Sequence, residues 1–138
     1  MGGKEYWLRE AREWFSDAER DFREAEDRLS AEVYTEACFH SHQAAEKIIK
    51  AVYYSRGEVI IGHDLEGLLS GLEKYGLEVR DLMDDARELN PHYMTARYPD
   101  ARRRYGLTFE DYNRDLAEEC FRRMKRIWKR IKGSLILE

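Results

Sequence analysis

The segment Cys38-Phe39-His40-Ser41-His42-Gln43-Ala44-Ala45-Glu46-Lys47-Ile48-Ile49-Lys50-Ala51 decides how this chain folds. It lies within a helical pattern from about Ala31 to Ser55, in which Val33, Ala37, Cys38, Ser41, Ala44, Ala45, Ile48, Ile49, Val52 and Tyr53 form a broad apolar stripe. The middle of that stripe is lined with small residues. Small side chains let neighbouring helices approach closely, so this helix is expected at the centre of a bundle.

On its N-terminal side, Trp7, Ala11, Trp14, Phe15, Ala18, Phe22, Ala25 and Leu29 recur at steps of three and four, giving a first amphipathic helix over Lys4–Leu29. Ser30 is placed to cap the next helix. On the C-terminal side, Arg56-Gly57 ends the central helix, with Gly57 able to take a left-handed conformation. Glu58–Gly62 reads as a packed connector. A third helix opens at His63-Asp64-Leu65, with Asp64 or His63 at its cap, and runs to about Tyr75 before Gly76. A fourth covers Val79–Leu89 and is ended by Pro91, because the residue before proline is pushed out of the helical region. Asn90–Leu107 is expected to be irregular, and loops are where function concentrates. Thr108, with Asp111 three residues on, resembles the start of a last helix running to about Lys132 and stopped by Gly133. The expected fold is all-α: an antiparallel up-and-down helical bundle of four main helices plus one short one, in a single domain over residues 1–138.

Composition supports a folded chain. Hydrophobic residues make up 43% of the 138 residues, and nine Tyr, five Phe and three Trp exclude a disordered polymer. The charged share of 38% fits helices with wide polar faces. The net charge of −4 conceals a gradient: acids dominate Glu5–Glu36, while bases dominate Arg97–Lys132. The bases from Arg122 to Lys132 suit either a phosphate backbone or a salt-bridged helix face. Met1-Gly2-Gly3-Lys4-Glu5 lacks an apolar stretch, so no secretory signal is expected. No apolar run approaches membrane-spanning length, and a cytoplasmic protein without membrane contact is expected. One glutamine and two asparagines beside abundant Glu and Arg hint at a thermophilic source. Cys38 and Cys120 are far apart, without CxxC spacing, and are expected to be buried free thiols. No metal site and no cofactor are expected, because the histidines lack ligand spacing and no glycine-rich phosphate loop is present.

Three blocks in order resemble the HEPN domain family: Gln43-Ala44-Ala45-Glu46-Lys47 with Lys50-Ala51; His63-Asp64-Leu65 with Leu68-Leu69; and Leu89, Tyr93 and Arg97-Tyr98-Pro99-Asp100. The resemblance implies a helical bundle that often forms a homodimer and is linked with nucleotides and RNA. It also implies, for many members, pairing with a minimal nucleotidyltransferase as a toxin–antitoxin system. Other members are metal-independent endoribonucleases in which an Arg is followed four to six residues later by a His near the last helix. No histidine follows His92 here, and only Arg87 and His92 match that spacing, upstream of the Arg97 block.

Two readings of the site follow. In the first, Arg97, Tyr98 and Arg102 from the loop, with Lys47, Lys50 and His63, grip a nucleotide or RNA phosphate, the arginine fork matching phosphate oxygens and the tyrosine stacking on a base. Each has a structural counterpart: Arg97 with Asp100 as a loop pin, and Glu46 with Lys50 as an i,i+4 ion pair. In the second, His92 removes the ribose 2′-hydroxyl proton while Arg87 holds the phosphate. An interaction subunit with no ligand of its own is the third possibility.

Overall fold

The computed structural model describes residues 3–137; Met1, Gly2 and Glu138, the outer ends of the expected 1–138 domain, lie outside the described residues. The chain is all-helical, with no strand among the described residues. Three long helices frame it: α1 (Gly3–Ser30), α2 (Tyr34–Ser55) and, at the other end of the chain, a helix over Arg114–Ser134.

The turn between α1 and α2 is made by Glu32, whose φ of 64° reverses the chain in three residues. Ser30 is therefore the last residue of α1 and not the cap of α2; Val33 sits at the α2 cap position with no side-chain bond. The two helices run antiparallel, as Arg28 meets Glu36, Asp21 meets Lys47 and Trp14 stacks on Tyr54 along their length. The stripe of small residues does what it is expected to do: Ala37, Cys38, Ser41, Ala44 and Ala45 are all fully buried. This close approach places α2 between α1 and the Arg114–Ser134 helix.

The left-handed Gly57 (φ 78°) ends α2 as expected. After the loop to Asp64 the chain forms α3 (Leu65–Ser70), which tightens into a 3₁₀ turn over Gly71–Tyr75, then a 3₁₀ turn over Arg80–Leu82 leading into α4 (Met83–Leu89). Asp64 occupies the cap position of α3 without bonding it. The bond comes from across the hairpin: Leu65 N donates to Asn90 Oδ1 at 2.8 Å, and Asn90 Nδ2 donates to Asp64 Oδ1 at 2.9 Å.

The stretch expected to be irregular is helical in two short pieces, α5 (His92–Thr95) and α6 (Pro99–Arg104). The prolines act as helix starts. Pro91 (φ −64°) precedes α5, and Pro99 is the first residue of α6, where a missing N–H costs nothing. Asn90 stays in the right-handed helical region (φ −53°, ψ −46°) despite the following proline, so the chain bends between α4 and α5 without unwinding. The last helix, α7 (Arg114–Ser134), begins later than Thr108. Asp111 Oδ2 does accept from Thr108 N at 2.7 Å, but that pair closes a 3₁₀ turn over Phe109–Asp111; the cap of α7 is Asn113, whose Oδ1 accepts from Leu116 N at 3.0 Å. Gly133 lies inside the helix and does not stop it.

Helix α7 is clamped to α4. Asp85, 4% exposed, takes Arg123 Nη1 at 3.0 Å and Arg126 Nε at 2.8 Å, while Arg130 grips the Asp81 carboxylate with both terminal nitrogens at 2.9 and 2.7 Å. Much of the basic C-terminal helix is thus a salt-bridged face. Among the described residues no helix is long and apolar enough to cross a membrane.

One contact in the α2–α3 seam has a sharp steric requirement. Tyr53 Oη donates to the Leu68 carbonyl at 2.7 Å, and a Cβ built on Gly71 would collide with that phenol oxygen. Gly71 has an ordinary helical φ of −63°, so space and not backbone freedom demands glycine. Gly71→Ala is expected to destabilise the fold by about 2 kcal/mol in urea unfolding despite alanine's better helix propensity, and Tyr53→Phe in the same chain should return part of the loss.

Candidate functional site

Helices α2 and α5 meet along a line of stacked rings. The Arg97 guanidinium lies 4.5 Å from the centroid of Phe39; Phe39 stacks on Tyr93 at 6.4 Å with planes 26° apart; Tyr93 stacks on the His63 imidazole at 3.9 Å and 15°. Arg97 and Phe39, with Thr35, Glu36, His40 and Ala96, line a cleft of about 210 Å³. Arg97 and Arg103 are exposed and have no carboxylate partner among the described residues, and Tyr98 beside them is 48% exposed. Met94 of α5, and Tyr105 and Phe109 just after α6, are exposed as well. A cationic fork lying over an aromatic face, open to solvent on its other side, can take a phosphate or a base.

The other expected ligand residues take structural positions. Lys50 is 4% exposed; its Nζ lies 3.0 Å from Glu46 Oε2 and 5.2 Å from the Trp14 ring. It faces inward towards α1, so the phosphate-binding role expected of it has no route to solvent. Lys47 Nζ sits 2.7 Å from Asp21 Oδ2 of α1, and His40 Nδ1 sits 2.8 Å from the other oxygen. Burial works to raise the Asp21 carboxyl, but the bonds from His40 and Lys47 outweigh it and hold the group below its ordinary value. Arg102 is half-buried: its Nη1 donates to the Thr95 carbonyl at 2.9 Å, tying α6 to α5, while the guanidinium lies 5.8 Å from the Phe109 ring. Arg97 does not pair with Asp100; Asp100 instead lies near Arg104, at 3.7 Å.

Glu46 is the hub beneath the ring stack. It is 2% exposed, and besides Lys50 it holds His63 Nδ1 at 2.9 Å through Oε1. His63 is thereby fixed flat against Tyr93, which supports Phe39 and Arg97. Of the expected binding set, Arg97 and His63 are linked by this stack, with Tyr98 adjacent to Arg97. Phe39 and Tyr93, the rings that link them, are not among the expected contact residues; Phe39 beside the small-residue run and Tyr93 after Pro91 are the available signal.

The residues of the endoribonuclease reading do not share an environment. Arg87 is exposed and paired with Asp84 and, at 3.6 Å, with Glu66. His92 is 5% exposed, with Nδ1 2.7 Å from Tyr112 Oη, and is packed among Tyr112, Thr95, Cys38 and Cys120. Its imidazole belongs to the interior of the bundle.

The HEPN domain family model matches residues 11–134. A Methanocaldococcus jannaschii protein named "Putative toxin MJ1304" is 26% identical over 139 residues, covering 93% of this chain and 90% of that one. Among solved structures, TT1696 from Thermus thermophilus is 34% identical with a TM-score of 0.82, covering 91% of this chain and 98% of its own. ST0689, an archaeal HEPN homologue, is 33% identical with a TM-score of 0.72, covering 90% of this chain and 96% of its own. The helical bundle, the three sequence blocks and these likenesses agree, and the chain belongs to the HEPN domain family.

Proposed function

We propose that this protein binds a nucleotide or an RNA phosphate on the α5–α6 face and acts as the partner, or substrate-binding, subunit of a minimal nucleotidyltransferase in a toxin–antitoxin type pair. The observation that carries the binding reading is Arg97: an exposed guanidinium laid over Phe39, with no carboxylate partner among the described residues, at the end of a ring stack anchored on buried Glu46. Exposed Tyr98 and Arg103 extend the same surface with the two kinds of group that single-stranded nucleic acid uses, a ring for bases and a cation for phosphate. The toxin name of the Methanocaldococcus jannaschii relative supports the pairing. The exposed apolar side chains of Met94, Tyr105 and Phe109 suit assembly, either as a homodimer or on the nucleotidyltransferase. The catalytic carboxylates for nucleotide transfer would belong to the partner enzyme, and the pair would work in the cytoplasm.

The test is fluorescence anisotropy with labelled RNA and with ATP at about 50 mM salt, where phosphate contacts are strongest. Arg97→Ala is expected to weaken binding about tenfold and to reduce the salt slope by about one, the loss of one charge-assisted phosphate contact. Arg80→Ala, an exposed cation on the α4 side of the bundle, should leave affinity unchanged. Absence of binding, or equal affinity of Arg97→Ala and the unaltered chain, rejects the reading. Cleavage of the RNA in EDTA that disappears in His92→Ala would replace it with the endoribonuclease.

A further inference from the structure

Away from the α5–α6 face, three side chains from three helices converge in the interior. Cys38 of α2, His92 of α5 and Cys120 of α7 are all buried, and their two sulfurs and one imidazole nitrogen lie within 4.8 Å of one another. Both cysteines are free thiols.

The hydrogen bonds around His92 select its tautomer. The Pro91 carbonyl can only accept, so the Thr95 hydroxyl, 3.1 Å away, donates to it. With its proton used, Thr95 Oγ1 accepts from Tyr112 Oη at 2.6 Å. Tyr112, its own proton used in turn, accepts at 2.7 Å from His92 Nδ1–H. In the neutral ring this arrangement puts the proton on Nδ1 and leaves the lone pair on Nε2. An outer hydrogen bond of this kind fixes ring orientation and raises the donor strength of the other nitrogen in metal-ligating histidines.

We infer that Cys38, His92 and Cys120 form a binding site for a zinc-class divalent cation inside the bundle. The donor set fits: two soft sulfurs and one imidazole are ligands that select zinc over the hard, oxygen-seeking cations. The charge fits as well. Two thiolates, a neutral imidazole and a dication sum to zero, and a neutral site is the kind an apolar interior accepts at low cost. The size is close, since donors around tetrahedral zinc stand about 3.6–3.8 Å apart, so the ligands need to draw in by about 1 Å at most. As the sulfurs ligate, the two thiol protons leave to solvent. Three protein donors leave the fourth corner to a water, and burial means that the ion loads as the helices open or as the chain folds. The site joins α2, α5 and α7, so its expected consequence is a tighter seating of α5, the helix that carries Tyr93 and precedes Arg97.

The experiment is cobalt substitution. The reduced full chain is refolded with Co²⁺ and its absorption recorded, alongside Cys38→Ser, Cys120→Ser, His92→Gln and, as an unrelated histidine, His63→Ala. Expected are an intense near-ultraviolet sulfur-to-cobalt band at one ion per chain, visible bands of tetrahedral strength, loss of the sulfur band in both serine variants, weakening in His92→Gln and no change in His63→Ala. Zn²⁺ should raise the melting temperature of the unaltered chain by several degrees and leave Cys38→Ser unmoved. No sulfur-to-cobalt band in the unaltered chain overturns the site, whether or not the variants fold. So does a band that survives in both folded serine variants. A chain two mass units lighter that takes up no metal also overturns it, because the sulfurs would then be joined as a disulfide.

Discussion

Glu46→Ala is expected to cost about 3–5 kcal/mol of folding stability, the largest loss from any single substitution considered for this bundle. The carboxylate is buried between two partners, Lys50 Nζ at 3.0 Å and His63 Nδ1 at 2.9 Å, and Lys50 itself is only 4% exposed. Removing Glu46 leaves an ammonium group in the interior with only the face of Trp14, 5.2 Å away, for compensation. A ring face offers about 2 kcal/mol to a desolvated cation, less than an unpaired buried charge costs. Glu46→Gln keeps the shape and one acceptor oxygen and should lose less. Pairing Glu46→Ala with Lys50→Met should recover most of the deficit, because apolar replacement of both members removes the stranded charge. Urea unfolding of the single and double variants at neutral pH measures this directly. A loss below about 1 kcal/mol for Glu46→Ala would mean that Lys50 swings out to water in the folded state. On the proposed binding reading the same substitution has a second consequence: once His63 is released, Tyr93 loses its outer support, and RNA affinity should fall.

This hub explains which parts of the protein the sequence discloses. The long helices are legible because each carries an uninterrupted apolar stripe, and the left-handed turns at Gly57 and Gly76 are legible because glycine there has a local cause. Arg97 and Tyr98 are legible as a candidate pair because they stand directly before Pro99 in a stretch that carries no long apolar stripe. Lys50 is misleading: on its own helix it looks like half of an i,i+4 surface pair with Glu46, and only the packing of α1, through Trp14, turns that face inward. The prolines mislead for a related reason. Pro91 and Pro99 carry the same local signal whether they end a helix or begin one, and the choice is made by Asn90, which bonds back to Asp64 and Leu65 and holds the chain in a helical bend. Cys38, His92 and Cys120 have no readable spacing because each belongs to a different helix, so only the closed bundle brings them together.

Acidification should expose the second large effect, through His42. Its ring is fully buried on α2, with Nε2 3.2 Å from the His63 carbonyl and Nδ1 3.1 Å from the Gln43 carboxamide. The carbonyl can only accept, so Nε2–H donates to it and Nδ1 carries the lone pair; the Gln43 carboxamide, whose Oε1 stands 3.1 Å from Nδ1, must then be turned over so that its NH₂ donates there. Burial pushes His42 down from 6.5 to about 4, against the opposing pull of Glu46, which lies 3.9 Å from Nδ1. Between those two values the unfolded chain binds a proton that the folded chain refuses. Stability therefore falls as pH falls, beginning near the unfolded value and levelling off only below the folded one, with a full loss of about 3 kcal/mol from this group. Carboxylates titrate in the lower part of the same range, so the informative quantity is the difference from His42→Gln, which can still donate to the His63 carbonyl. Urea midpoints taken between about pH 7 and pH 4.5 should decline more steeply for the unaltered chain than for the variant. Parallel declines would mean that His42 accepts its proton inside the folded bundle with Glu46 as counter-ion. The Glu46 carboxylate would then face the His42 imidazolium as well as Lys50, and the penalty expected for Glu46→Ala would grow on acidification.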